Sequence, residues 1–181
     1  MTIGIGALCN GGTAVVVASD RMITGRYPPI EFEHNVSKVE ELGPSCVAVT
    51  AGDALAHIEL FRKVKQVLYQ LQAPPISDIV ENVKQAFQTE RRRRAQDVVL
   101  GPRGITMVQF YQEYIRFWPT EVALGVDRDI TRNDYGLEII VAGVDFGGAH
   151  LYGVDDPGIL NCYDSLGYTP AIFEGQKSDE G

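Results

Sequence analysis

Residues 46–71 read CVAVTAGDALAHIELFRKVKQVLYQL, and the apolar pattern changes its period partway through. Cys46 to Thr50 is a short run of small and β-branched residues, the composition of a strand. From Asp53 onward Leu55, Ile58, Phe61, Val64, Leu68 and Leu71 recur every three or four residues, the spacing of an amphipathic helix. Asp53 is placed to cap its first turn, and Pro74-Pro75 closes its end.

Upstream, Ser37 to Leu42 pairs with Cys46 to Thr50 around Gly43-Pro44. Before that, Thr2 to Leu8 and Thr13 to Ala18 flank Asn10-Gly11-Gly12, residues that tolerate the positive φ of a tight hairpin. Val15, Val16 and Val17 in succession predict a strand buried on both faces. The stretch through Tyr27-Pro28-Pro29 reads as irregular. Downstream, Ser77 is expected to cap a second helix whose apolar face carries Val80, Val83 and Phe87 before Glu90 and the run Arg91 to Arg94. Gly101-Pro102 breaks the pattern, and Met107, Phe110, Tyr111, Tyr114, Ile115 and Trp118 mark a third helix that stops at Pro119. Strand patterning returns at Leu137 to Val144, Ala149 to Val154 and Ile159 to Tyr163, and Pro170 begins what reads as the start of a helix, with a polar tail from Gly175. No repeat or linker interrupts the chain, which predicts one α+β domain over 1–181 with helices covering sheets.

The chain has 181 residues with 24 acidic against 16 basic side chains, and the net charge of -8 repels nucleic acid and anionic lipid. Neither nucleic acid nor a membrane is therefore an expected partner. Cys9, Cys46 and Cys162 are odd in number and lack CxxC spacing, which fits a reducing, cytoplasmic setting. Several short motifs fail on context. Asp145-Phe146-Gly147 spells the kinase magnesium motif but sits in a strand turn. Asp127, Asp129 and Glu138 approach calcium-loop spacing, yet Arg132 stands where glycine is needed, so the stretch reads as a solvated loop. The arginine run reads as a hydrated helix end. His34, His57 and His150 have no Cys or carboxylate at ligand spacing, so surface or core roles are expected.

The N-terminal half carries a more specific pattern. Thr2 follows Met1, Ala18-Ser19-Asp20-Arg21 ends a strand, Ser37-Lys38-Val39 starts another, and Val49-Thr50-Ala51-Gly52-Asp53 opens the helix. Ala142-Gly143-Val144-Asp145, His150-Leu151-Tyr152 and Asp155-Asp156-Pro157-Gly158 follow. In this order and spacing they resemble the proteasome β-subunit family of N-terminal-nucleophile hydrolases. The likeness runs from Thr2 to about Ala171, apart from about 91–133, which looks like an insertion.

The resemblance implies a four-layer αββα sandwich of two antiparallel sheets, a threonine peptidase or amidase acting on peptide or unfolded protein, a homo-oligomeric ring, and no cofactor. A terminal threonine holds both a hydroxyl nucleophile and a base, since a free α-amine has a pKa of about 7.7–8.0. On the same resemblance Lys38 lies beside Thr2 and keeps its amine neutral, Asp20 holds Lys38, and the Gly52 N–H, at the helix start, is the oxyanion donor. Two departures stand out. Tyr168, or Ser165 in a slipped register, occupies the place of a family serine. The chain also stops where the family continues through two more helices and further strands, so an incomplete fold is expected, and a supporting Asp and Ser have no counterpart. Each residue also has a plain structural reading: Thr2 in a strand, Lys38 and Asp20 an ion pair, Gly52 a tight turn. A non-catalytic ring-forming scaffold subunit and an acyl transferase remain alternatives.

Overall fold

A computed structural model describes residues 3–24, 31–33, 37–71, 73–170 and 172–173. Thr2, His34, the irregular stretch at 25–30 and the tail from Gly175 lie outside the described residues. The chain divides into two compact units, 1–86 with 136–181, and 87–135, where the sequence reads as one domain with an inserted stretch.

The first unit is built from antiparallel sheets. β1 (Ile3–Cys9) and β2 (Ala14–Ser19) form the expected hairpin, and Asn10, Gly11 and Gly12 take φ of 50°, 65° and 85° at its turn. A short strand, β10 (Ile172–Phe173), pairs with the other edge of β1, giving the order β10-β1-β2. The segment from Pro170 is thus a strand where the sequence suggested a helix start. β3 (Met22–Thr24) and β4 (Glu31–Glu33) make a separate pair that the sequence reading missed. The larger sheet runs β5 (Val39–Gly43), β6 (Cys46–Gly52), β7 (Leu137–Asp145), β8 (Gly148–Asp155) and β9 (Ile159–Cys162) in order.

The two larger sheets pack face to face. Val49, Ala51, Ile140, Ala142 and Leu151 from one meet Ile172, Leu8, Val15 and Val17 from the other in a single apolar cluster. Residues one position out of phase face helices instead, as period-two alternation requires: Thr50 meets α1 (Ala54–Leu68), and Gly143 meets Ile76 at the start of α2 (Ile76–Ala95). β2 is not buried on both faces. Val16 is 57 % exposed, because the face of β1 and β2 turned away from the other sheet also leaves Ile3 and Ile5 accessible.

In α1, Asp53 caps the helix as expected, its carboxylate accepting from the Leu55 and Ala56 amides. The buried stripe, however, is His57, Leu60, Phe61, Val64 and Leu68, whereas Leu55 and Ile58 are exposed. α2 starts at Ile76, so Ser77 lies inside it, and the free Ile76 amide is taken up by the Asp145 carboxylate at 3.0 Å.

The second unit carries the end of α2, a π-helical turn at Gln96–Leu100 and a 3₁₀ turn at Gly101–Arg103. α3 (Met107–Gln109) and α4 (Ile115–Phe117) follow, separated by a π-helical turn at Phe110–Tyr114. Pro119 then precedes α5 (Thr120–Arg132), which places Asp127 and Asp129 on a helix and not in a loop. Its core is Ala95, Val99, Leu100, Phe110, Val126 and Ile130. Three of the four residues of the arginine run are engaged: Arg91 donates to the Thr131 carbonyl, Arg93 pairs with buried Glu90, and Arg94 donates to the Tyr135 carbonyl, while Arg92 is exposed.

A Cβ added to Gly4 would lie 2.9 Å from Val49 Cγ1, and one added to Gly6 2.7 Å from Leu151 Cδ1. These two glycines let the sheets approach closely at β1. We expect Gly6→Val to lower stability by ~1–3 kcal/mol through overpacking, and Gly43→Ala, with open space around its Cβ, to stay within ~0.5 kcal/mol. Urea unfolding of both variants checks this, and equal effects would mean that the close approach is not what requires glycine.

Candidate active site and neighbouring polar networks

Lys38 and Asp20 meet at the end of the hairpin. Lys38 Nζ lies 2.9 Å from Asp20 Oδ1, with side chains 13 % and 25 % exposed. Asp20 follows β2, and its backbone N–H donates to the Ile3 carbonyl at 3.1 Å. The same Asp20 Oδ1 accepts the Ile3 N–H at 3.2 Å. The residue next to Thr2 in the chain is therefore tied at both backbone groups to the residue that holds Lys38. Lys38 is placed in turn by β6, since its carbonyl accepts the Thr50 N–H at 3.1 Å.

Gly52 ends β6 one residue before the cap, and so sits on a strand and not in the helix start. Its φ is +128°, and a Cβ there would stand 2.0 Å from the Gly136 carbonyl oxygen. That carbonyl accepts the Asp53 N–H at 2.9 Å. Only glycine fits this conformation and this contact. Of the four residues singled out from sequence, Asp20 and Lys38 touch, Gly52 lies two residues along β6 from the Thr50 that bonds Lys38, and Thr2 is outside the described residues. Tyr168 makes a bridge with Ala7 and is exposed, as is Ser165.

Both described histidines have carboxylate partners that sequence spacing did not show. His57 is buried between Thr50 Oγ1, 3.0 Å from Nδ1, and Glu40 Oε1, 3.1 Å from Nε2. Lys65 Nζ reaches the other Glu40 oxygen at 2.5 Å. Burial pushes the Glu40 carboxyl upward, but the hydrogen bonds and charges of Lys65 and His57 outweigh it and hold the group below 4.5. Thr50 and His57 are 3 % and 7 % exposed, so the inner end of this Glu-His-Thr chain is buried and Glu40 is its more open end. His150 stands between Asp145 and Asp164. A signal for Asp145 was present but missed: with a two-residue turn at Phe146-Gly147, Asp145 and His150 fall on one face of the hairpin.

Burial pushes the Cys46 thiol up to about 12, so it is inert at neutral pH. A cleft of about 170 Å³ opens near β10, floored by Ile140 and Ile172 and rimmed by Glu138, Asp155 and Tyr163. Burial raises the Asp155 carboxyl there, against the hydrogen bond from Asn161. Among the described residues no cluster of His, Cys, Asp or Glu could hold a metal ion, and no helix is long and apolar enough to cross a membrane.

Compared with known proteins, the chain matches no family model and no curated relative.

Glu40 gives a pH prediction. Its folded pKa lies below 4.5, so the stability it contributes is present above that value and lost as pH falls through the folded one. Glu40→Gln should therefore flatten the acid limb of the stability curve, read as urea midpoint against pH. An unchanged acid limb would assign that pH dependence to other carboxylates.

Proposed function

We propose that the chain is a threonine-type peptidase or amidase of the proteasome-like, N-terminal-nucleophile kind, built on a four-layer αββα sandwich. The observation that carries this reading is the Lys38–Asp20 pair, 2.9 Å apart, on an aspartate that also accepts the amide of the residue after Thr2. On this reading the Lys38 ammonium of that pair lowers the pKa of the Thr2 amine, and Asp20 holds Lys38 in position. The packed antiparallel sheets, with α1 and the start of α2 over one of them, support three of the four layers of this reading.

On this reading Met1 is removed and the Thr2 amine takes the proton of its own hydroxyl. The oxygen attacks a peptide carbonyl carbon, and the oxyanion that forms accepts a hydrogen bond from the Gly52 N–H, a contact worth roughly 3 kcal/mol of barrier. The protonated amine then gives its proton to the departing peptide nitrogen, leaving an acyl-threonine ester. Water, deprotonated by the same amine, attacks that ester and releases the acid. Substrates are peptides or unfolded chains, and the working form is a homo-oligomeric ring in the cytoplasm.

A scaffold subunit without activity is the second reading. It is favoured by Gly52, whose conformation and contact with Gly136 require glycine whether or not chemistry occurs.

The two readings separate in one experiment. A threonine-directed covalent inhibitor should add its mass to the peptide that begins at Thr2. Thr2→Ala should abolish that adduct, and Lys38→Ala should abolish turnover of a peptide amide. Retention of Met1 in the intact mass, or an adduct on another residue, would hand the case to the scaffold.

A further inference from the structure

The cleft beside β10 is lined by Glu138 and Ile140 of β7, Gly153 and Asp155 of β8, Tyr163, and Ile172 of β10. Ile140 and Ile172 belong to the apolar cluster between the sheets, and the Tyr163 side chain packs against the same cluster. The Tyr163 ring also lies against Gly153. A Cβ at that glycine would stand 2.9 Å from Tyr163 Cε2 and 3.4 Å from the hydroxyl oxygen. A side chain at 153 would displace the ring, so glycine there seats one wall of the cleft.

The rim is polar and acidic. Burial raises the Tyr163 hydroxyl above its ordinary range, and the charges of Asp155 and Glu138 add to it, so both carboxylates stand close to that oxygen. Asn161 Nδ2 donates to Asp155 Oδ2 at 2.8 Å, which fixes the orientation of the carboxylate. Burial raises the Asp155 carboxyl, and the group that opposes this is the neutral Asn161 amide. Among the described residues that line the cleft there is no Lys, Arg or His. A half-buried carboxylate whose partner is neutral gains when a cation arrives. An apolar floor under a few convergent polar groups is the usual make-up of a small-molecule site. A bare hard metal ion would need oxygen ligands on every side, whereas the isoleucine floor suits a cation that carries its own apolar part.

We propose that this cleft binds an alkylammonium group, a primary amine on a short methylene stem, with the stem on Ile140 and Ile172 and the ammonium donating to Asp155, Glu138 and the Tyr163 oxygen. An ammonium has three N–H donors, which these three acceptors match. Free alkylamines and the lysine side chain share this chemistry, a charged head on an apolar stem. None of the cleft residues is assigned a part in the hydrolase reading, and binding here does not depend on that reading.

An NMR titration of the full chain with n-butylamine, at neutral pH and fixed ionic strength, tests the site. n-Butanol serves as the neutral probe with the same stem, and ammonium chloride as the cation without one. We expect saturable shifts at Ile140, Gly153, Tyr163 and Ile172 with n-butylamine, and affinity weaker by about tenfold or more for the other two probes. Asp155→Asn should weaken n-butylamine by a similar factor and leave n-butanol unchanged, and Glu138→Gln should act in the same direction. Shifts that do not saturate, equal binding of either control, or n-butylamine affinity unchanged in both variants overturns the proposal. Nα-acetyl-lysine methylamide separates the two sources of the amine. Saturable shifts at the same residues assign the cleft to lysine side chains of other chains, and n-butylamine binding without them assigns it to free amines. Turnover plays no part in this readout, so a protein without activity would sink the hydrolase reading and leave the cleft to be decided by the titration.

Discussion

Two sheets meet at Gly4 and Gly6 closely enough that a single added carbon on either would collide with Val49 or Leu151. Everything around the candidate site depends on that contact. It presses β1 against β6 and β8, fixes Ile3 at the end of β1, and so fixes the backbone to which Asp20 bonds. A gap of even an ångström forfeits a large part of the dispersion attraction, so a wider separation would cost both the apolar contacts and the placement of Ile3. The outward positions Ile3 and Ile5 can be large because they face away from that contact.

A second backbone apposition acts at the other side of the site. Gly52 and Gly136 meet where β6 passes into α1 and where the chain re-enters the sheet at β7. The Asp53 cap depends on it, since its amide bonds to the same carbonyl that excludes a side chain at Gly52. Helix start, strand end and the candidate oxyanion donor are thus consequences of one close contact between main chains.

Local signals were legible in the sequence, and distant ones were not. Asn10-Gly11-Gly12 specifies its hairpin because few other residues accept three successive positive φ values. Asp53 specifies its helix start because its carboxylate reaches two amides within three residues. The buried face of α1 was misjudged, as Leu55 and Ile58 weighed as much in the pattern as Phe61 and Val64 although nothing in this chain covers them among the described residues. Pro119 read as a stop, and it does end one helix, but its fixed φ also opens α5. β10 escaped notice because a two-residue strand is defined by its partner, and that partner lies at the opposite end of the chain. The same holds for the site. Asp20 and Lys38 were paired by family likeness, whereas Glu40, His57 and Asp164 found their partners only in three dimensions.

The engaged arginines of α2 bear on how the molecule meets others. Arg91, Arg93 and Arg94 already point donors at carbonyls or at Glu90, so much of the charge in the most basic stretch of the chain is engaged, while Arg92 is exposed. With a net charge of -8, the long-range field then draws cationic chains inward and slows acidic ones. Such steering is an encounter-rate effect, strongest in dilute salt and fading once the screening length drops to about 10 Å near 0.1 M. Discrimination between partners would begin in solution, before any residue of the site is touched.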